Sequence, residues 1–514
     1  MYAMTVMYIH TALVFALAAI VAFVSLRRFF IRRQFARRHG CQPVAKSANW
    51  EPFLGLDTVP GTLRALRQHK ILERSSELFH IHGTTFKVKE LQRRAIVTIE
   101  PENIKTVLSL KFTDYGISHR LEPFRPLLGE GIFDTDGDHW AASRALIRPS
   151  FTRDQVADLT CLEELIQDLF ALLPQDGRTV VDLQELFFRY TIDSATDFLF
   201  GESIGTLKKT SSEPSFGEAF HYAQKAIIVR GMLGPLNYFY RDRKADECNR
   251  LCRGFAQRFV DEAFNAAEVK KESSDNKEQQ GKSKRRHIFS RELAWRTPDR
   301  RRVLDEVMNV LLAGRDTTAS LLANLFFMLA KNQTIWEKLR REVASLEGRM
   351  PTYEELRSLR YVQSCINESL RLHPVVPRNE REAIRDTVLP LGGGPDGLAP
   401  VFVSKGTLVC YNLYALHRRT DIYGADANEF RPERWMDGKL RPRWGYLPFN
   451  GGPRICIGQQ YALTEVAYVL VRMVQEFRGL VGRDLGEWEE SLALTVCVNG
   501  GVKVVLLPDE GMSS

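Results

Sequence analysis

Several things are missing from this 514-residue chain. Its eight cysteines (Cys41, Cys161, Cys248, Cys252, Cys365, Cys410, Cys456 and Cys497) form no Cys-x-x-Cys pair, which leaves no zinc-type spacing. No internal repeat is visible. No acidic residue precedes Glu51. Mean hydropathy is −0.23, too low for a polytopic membrane protein but compatible with one short membrane segment. The composition is otherwise ordinary, with 44% hydrophobic and 26% charged residues. That excludes disorder, a collagen-like repeat and a small disulfide scaffold, and leaves room for a core that buries a large cofactor.

What is present begins with charge. The net charge is +8, and Arg27, Arg28, Arg32, Arg33, Arg37 and Arg38 account for much of it. The remainder is close to balanced, which argues against a nucleic-acid-binding surface. Before the cluster, Met4 to Leu26 carry no charge, and their only polar interruptions are Thr5, His10, Thr11 and Ser25. As a helix such a run rises roughly 35 Å, enough to cross a bilayer. A cleaved signal would carry its positive charge ahead of the run, whereas here the charge follows. The positive-inside rule leaves the arginines, and the chain after them, in the cytoplasm. There the thiols stay reduced, and most should be small buried hydrophobes. We expect a membrane anchor over residues 1–26 and a basic connector over 27–60, stiffened by Pro43, Pro52 and Pro60. One domain follows over 61–514.

Residues 100–380 read mostly as helix. Strand-like runs are few: Ala95 to Ile99, a hairpin from Val401 to Val409 turning at Ser404-Lys405-Gly406, and Val502 to Leu507. The expected class is mostly α with small β-sheets, an α+β pattern. One long helix is expected to start at Thr297-Pro298 and run past Gly314 to about Lys331. A second contains Tyr361 to Leu372 and stops before Pro374. A third follows Gly458, with a buried stripe of Val466, Leu470, Met473, Val474 and Phe477. The polar segment Ala267 to Arg286 reads as a solvated loop.

Phe449-Asn450-Gly451-Gly452-Pro453-Arg454-Ile455-Cys456-Ile457-Gly458 places a cysteine in a Gly/Pro loop just before a helix. Helix N–H groups and Arg454 both favour a thiolate there, as nucleophile, redox sensor or metal ligand. The spacing F-x-x-G-x-R-x-C-x-G resembles the haem-thiolate loop of the cytochromes P-450 at every fixed position. By residue frequencies a chance match is about one in ten thousand. The resemblance extends from the anchor to the C-terminal strands, and implies that fold with an N-terminal transmembrane helix.

Residue by residue, the resemblance implies the following roles. Cys456 is the axial ligand of haem b. Trp140 and Arg144, matching W-x-x-x-R, hold propionates, as do Arg381 and Arg454; Phe449 also belongs to the haem site. Glu368 and Arg371, an E-x-x-R that shares one helix face, join Arg434 of Pro432-Glu433-Arg434-Trp435 in a structural triad. That segment departs from the family's P-E-R-F by a tryptophan. Within Ala313-Gly314-Arg315-Asp316-Thr317-Thr318, where Thr and Gly together can open a groove on the helix, Asp316 and Thr317 assist proton delivery to dioxygen. Electrons come from NADPH through a membrane-bound flavoprotein reductase. The expected location is the endoplasmic reticulum membrane, in contact with lipid and not with nucleic acid.

Three strings are narrower than the superfamily: Leu127-Leu128-Gly129-Glu130-Gly131-Ile132-Phe133, Gly392-Gly393-Gly394-Pro395-Asp396-Gly397, and Asn450 through Glu465. Together they resemble the fungal alkane- and fatty-acid-hydroxylase group. The pocket so implied draws on the loop from Thr113 to Ile132, on Ala313, Thr317, Val375 and Val376, and on Leu494 to Gly500. The alternatives are a fungal enzyme tailoring secondary metabolites and a haem sensor or isomerase that does not use dioxygen. The Asp316-Thr317 pair speaks against the last.

Overall fold

The computed structural model describes all residues except 1, 45, 52–54, 91–92, 209–215, 275–286, 484 and 510–514. Two compact units emerge. The first comprises Met1–Pro60, Glu77–Gly116 and Glu380–Tyr411, and the second comprises Gly61–Ser76, Ile117–Asn379 and Asn412–Ser514.

In the first unit the apolar run and the arginines form one helix, Tyr2–Arg38. Over His10–Arg38 it is long and apolar enough to cross a membrane, and its apolar window there is not buried in protein. The basic segment is therefore helical as far as Arg38. Its far end is fastened: Arg32 Nε lies 3.0 Å from Asp386 Oδ2, and Phe35 meets Phe402 edge-on at 5.8 Å. Pro43 lies beyond the helix, Pro60 falls inside a short helix, Val59–Arg67, and Pro52 lies outside the described residues.

The expected hairpin at Ser404-Lys405-Gly406 turns but does not pair. Thr407 N–H donates to Ser404 O at 3.0 Å, closing the turn. The strand before it, Ala399–Val403, pairs antiparallel with Thr387–Gly393. The strand after it, Leu408–Asn412, runs parallel to Arg93–Thr98 in a five-stranded sheet. That second strand is buried on both faces and lies inside the sheet, between Arg93–Thr98 and Arg378–Ala383. Turn chemistry reverses the chain without choosing the partner.

In the second unit the long helix is Arg300–Ala330. It starts two residues after Pro298, because Asp299 is the residue that caps it, accepting Arg302 N–H at 3.0 Å. Its first half packs from Val303 to Leu311 against helices Phe216–Leu233 and Arg243–Ser274. Its second half, Leu321 to Leu329, belongs to another core with helices Leu183–Phe200 and Gln459–Glu476. The helix is about 46 Å long at 1.5 Å per residue and serves both cores. Gly314 does not interrupt it.

The helix after Gly458 is buried more widely than one stripe. Ala467, Tyr468, Val469 and Val471 are as buried as Val466, Leu470, Met473 and Val474, since core surrounds it on most sides. The polar segment from residue 267 continues as helix to Ser274, and 275–286 lie outside the described residues. The expected pocket loop from Thr113 to Ile132 contains a helix, Leu121–Leu128. The eight thiols are free, and only Cys252 and Cys365 are buried, fewer than expected.

Candidate active site

Cys456 sits where the loop enters the helix Gln459–Glu476. A tight turn, Gly452–Arg454, precedes it, and Cys456 N–H donates to Phe449 O at 3.0 Å, tying Phe449 to the cysteine. Burial pushes the thiol above its usual value, while the Gly458 N–H and the Arg144 guanidinium pull the other way. Burial outweighs the helix terminus here, so the thiol alone is not the thiolate that its position suggests; iron would remove the proton on binding. Cys456 is also the one exposed cysteine of the eight. The sulfur is thus surrounded by protein yet left uncovered. Among the described residues no group of three or more His, Cys, Asp or Glu could hold an ion. A metal bound at Cys456 therefore has to bring its other ligands with it, as a haem does.

Positive charge and an indole surround the cysteine loop. Arg144 Nη1 donates to Ile455 O at 3.0 Å. The Arg454 guanidinium lies 4.4 Å from the centre of the Trp140 ring. Arg454 also donates to Thr135 O at 2.8 Å and to Asp136 Oδ1 at 2.6 Å. Asp136 carries no motif and went unnoticed in the sequence. Arg381 lies in the other compact unit, where it is buried, donates to Glu380 O at 2.7 Å and faces the Tyr411 ring at 6.0 Å.

On the long helix, Leu312, Ala313, Gly314 and Thr317 are partly accessible within an otherwise buried stretch. Thr317 Oγ1 donates to Ala313 O at 2.6 Å, the in-helix bond that threonine favours. The chain stays α-helical through this stretch. Asp316 is buried and paired with its neighbour, Arg315 Nη1 to Asp316 Oδ1 at 2.9 Å. Val496 N–H donates to Val375 O at 3.0 Å, and Asn324 Nδ2 donates to Val496 O at 3.0 Å. Val375 and the turn before Val496 are thus hung on the long helix, and Val376 beside them is half-buried.

Glu368, Arg371 and Arg434 do come together. Arg371 grips the Glu368 carboxylate with two bonds of 2.8 Å, and Arg434 Nε donates to it at 2.7 Å. Trp435 Nε1 adds a bond of 2.9 Å that the family's phenylalanine could not make.

The family model described as Cytochrome P450 matches residues 58–493 of this chain. The chain is a cytochrome P450. Among curated proteins it is 48% identical over 497 residues to cytochrome P450 monooxygenase himC of Aspergillus japonicus, covering 95% of this chain and 88% of that one. It is 46% identical to cytochrome P450 monooxygenase fsdH of Fusarium heterosporum, covering 94% and 86%. It is 42% identical to cytochrome P450 52A5 of Candida maltosa over 80% of each chain. As a P450 monooxygenase it uses a haem with a thiolate ligand, and its electrons come from NADPH through a reductase partner.

Proposed function

We propose that this P450 hydroxylates long-chain n-alkanes or fatty acids, preferentially at the terminal carbon. The observation that carries the reading is the run Asn450 through Glu465, together with the string Leu127 to Phe133, in the form that resembles the fungal long-chain hydroxylases. The apolar residues Ala313, Val375 and Val376 suit a hydrocarbon chain. Cys456 Sγ would ligate the haem iron beside Phe449, and Trp140, Arg144, Arg381 and Arg454 would hold the propionates, a planar guanidinium being well matched to a carboxylate. When bound, the haem supplies the oxidising chemistry, because thiolate ligation favours cleavage of the O–O bond.

The chain's own residues supply protons. Thr317 Oγ1 and the Asp316 side chain would assist proton delivery to dioxygen. Thr317→Ala is expected to keep NADPH consumption while diverting it to peroxide; unchanged coupling would remove the threonine from the relay. In Cys456→Ser the thiolate-type band of the reduced carbon-monoxide spectrum is expected to disappear, and its persistence would overturn the ligand assignment.

The partner is assigned as the NADPH–cytochrome P450 reductase. The location is the endoplasmic reticulum membrane, single-pass, with the catalytic domain (61–514) facing the cytoplasm. Residues 1–26 are the anchor, and 27–60 link it to that domain. Tailoring of a fungal secondary metabolite is the second reading. It is favoured by identity of 46–48% to the two filamentous-fungal monooxygenases against 42% to the Candida P450. Reconstitution with a fungal reductase and NADPH on dodecane, lauric acid and oleic acid separates the two. Terminal alcohols or diacids support the first, and no product from any chain supports the second.

A further inference from the structure

The string Leu127 to Phe133 has a counterpart on the long helix. Three polar residues interrupt that helix's apolar first half, at positions i, i+1 and i+4: Asp305, Glu306 and Asn309. All are buried, and each accepts a backbone N–H from the loop. Asp305 Oδ2 takes that of Glu130 at 3.0 Å, Glu306 Oε2 that of Ile132 at 3.3 Å, and Asn309 Oδ1 that of Phe133 at 3.2 Å. Asn309 Nδ2 returns a bond to Leu128 O at 3.2 Å. Arg253 clamps the same corner, donating to Asp305 Oδ1 at 2.7 Å and to Leu127 O at 3.3 Å.

The two glycines of the string are required by this approach. A Cβ on Gly129 would stand 1.9 Å from Asp305 Oδ1, and one on Gly131 would stand 2.4 Å from Asn309 Nδ2. Beyond the clamp the loop reaches Arg454, whose guanidinium takes Ile132 O at 3.4 Å as well as Thr135 O and Asp136. Asp136 in turn caps Ile117 and Ser118 N–H at 2.7 and 2.8 Å. The loop is thus held at one end by the helix and at the other by the arginine two residues before the ligand cysteine.

We propose that Asp305, Glu306 and Asn309 are positioning residues that act through the 129–136 loop on Arg454, so that one polar row on the long helix sets the seat of the arginine beside Cys456. The proposal rests on the assignment of Arg454 to a haem propionate. The clamp explains why a glycine-x-glycine string in the loop and a D-E-x-x-N pattern on the helix occur in one chain.

The test is the rate at which the full-length holoenzyme loses haem to excess apomyoglobin, measured for Asn309→Ala, Asp136→Asn, their combination, and Arg454→Ala. Asn309→Ala and Asp136→Asn are each expected to speed haem loss about tenfold, the lower end for losing a supporting contact of a metal site. The double variant is expected to be no faster than either single one, because both cut one route. Additive effects, as for independent loosening of the fold, would overturn the proposal. So would unchanged haem loss in Asn309→Ala while Arg454→Ala speeds it. Unchanged loss in Arg454→Ala instead sinks the arginine's assignment, and the proposal with it. Should Asn309→Ala not accumulate, Asp305→Asn replaces it; it keeps the volume, weakens two clamp bonds, and must show the same dependence on Asp136→Asn.

Discussion

Two buried ionic networks in the second unit differ in how completely they are satisfied. Around Glu368 the carboxylate accepts from Arg371 Nε and Nη2, Arg434 Nε, Trp435 Nε1 and Arg431 N–H. The remaining arginine donors reach the carbonyls of His417, Ala427, Glu429, Tyr423 and Asp426. Around the 129–136 loop, by contrast, Glu306 Oε1, Asp134 Oδ2 and Arg302 Nε have no hydrogen-bond partner among the described residues. A saturated network resists any change of protonation or position, whereas one with unfilled acceptors can take up a proton. The first suits a permanent scaffold and the second a contact that adjusts.

The sharpest way to break this contrast is to remove an arginine from the saturated side. Arg371→Ala takes two of the donors from Glu368 and removes the arginine that binds the His417 and Ala427 carbonyls. Removing one partner of such a buried pair costs about 3–5 kcal/mol. The variant is expected to accumulate little folded, haem-containing protein, read as the ratio of Soret to protein absorbance. A stable, fully loaded variant would show that the network is not the scaffold its bonds suggest.

The unsaturated side is probed by pH. Burial pushes Glu306 up to about 7 and Asp134 up to about 7, with neighbouring carboxylates adding to the effect. The groups facing Glu306 are Asp134, Arg302, the Ser143 hydroxyl and the Ile132 N–H. Asp305, Glu130 and the Gly131 N–H face Asp134, and His139 Nε2 lies 3.2 Å from Glu130 O. A folded-state value above the unfolded one means the native protein holds the proton more tightly. Stability from this source is complete below the unfolded carboxylate range, falls as pH rises toward 7, and levels off beyond it. For Glu306 the total is about 3 kcal/mol, corresponding to a rise from 4.5 to about 7. Glu306→Gln keeps an acceptor for Ile132 N–H but cannot ionise. Its melting temperature is expected to vary less between pH 5 and pH 8 than the wild type's, with Asp134 retaining part of the slope. Parallel profiles would place the titration elsewhere.

The contrast also explains what was legible in the sequence. Cys456, Arg454, Glu368 and Arg371 carry spacings set by local geometry, a loop entering a helix or two side chains on one helical face, so a one-dimensional pattern finds them. Asp136 meets Arg454 across 318 residues of sequence, and Asp305, Glu306 and Asn309 meet the loop 174 to 176 residues away, and no spacing records that. The only hint of the row is three polar residues within Val303 to Leu312, a run otherwise apolar enough to be core. The string Gly392 to Gly397 is a different case. It resembles the signature of a group of enzymes, and in the fold it forms the turn between the paired strands Thr387–Gly393 and Ala399–Val403. The hairpin expected at Ser404 failed because the strand after the turn lies inside another sheet, a pairing that a turn motif does not encode.

The smallest expected effect lies at Trp435, and it tests whether saturation confers redundancy. Trp435→Phe removes one of the donors to Glu368 Oε2 and leaves Arg371 Nε on the same oxygen at 2.8 Å. A hydrogen bond to a charged group is worth about 1.5–3 kcal/mol when its loss strands the acceptor. Here the acceptor is not stranded, so the loss should fall to about 1 kcal/mol, a shift of about 1–2 °C in melting temperature for a chain of this size. Haem content and the carbon-monoxide spectrum should be unchanged. The indole also packs on Tyr446 with ring centres 4.6 Å apart, a contact that phenylalanine largely keeps. A loss comparable to that of Arg371→Ala would mean that the indole bond is indispensable to Glu368, and that a chain carrying tryptophan in place of the family's phenylalanine has rebuilt its scaffold around it.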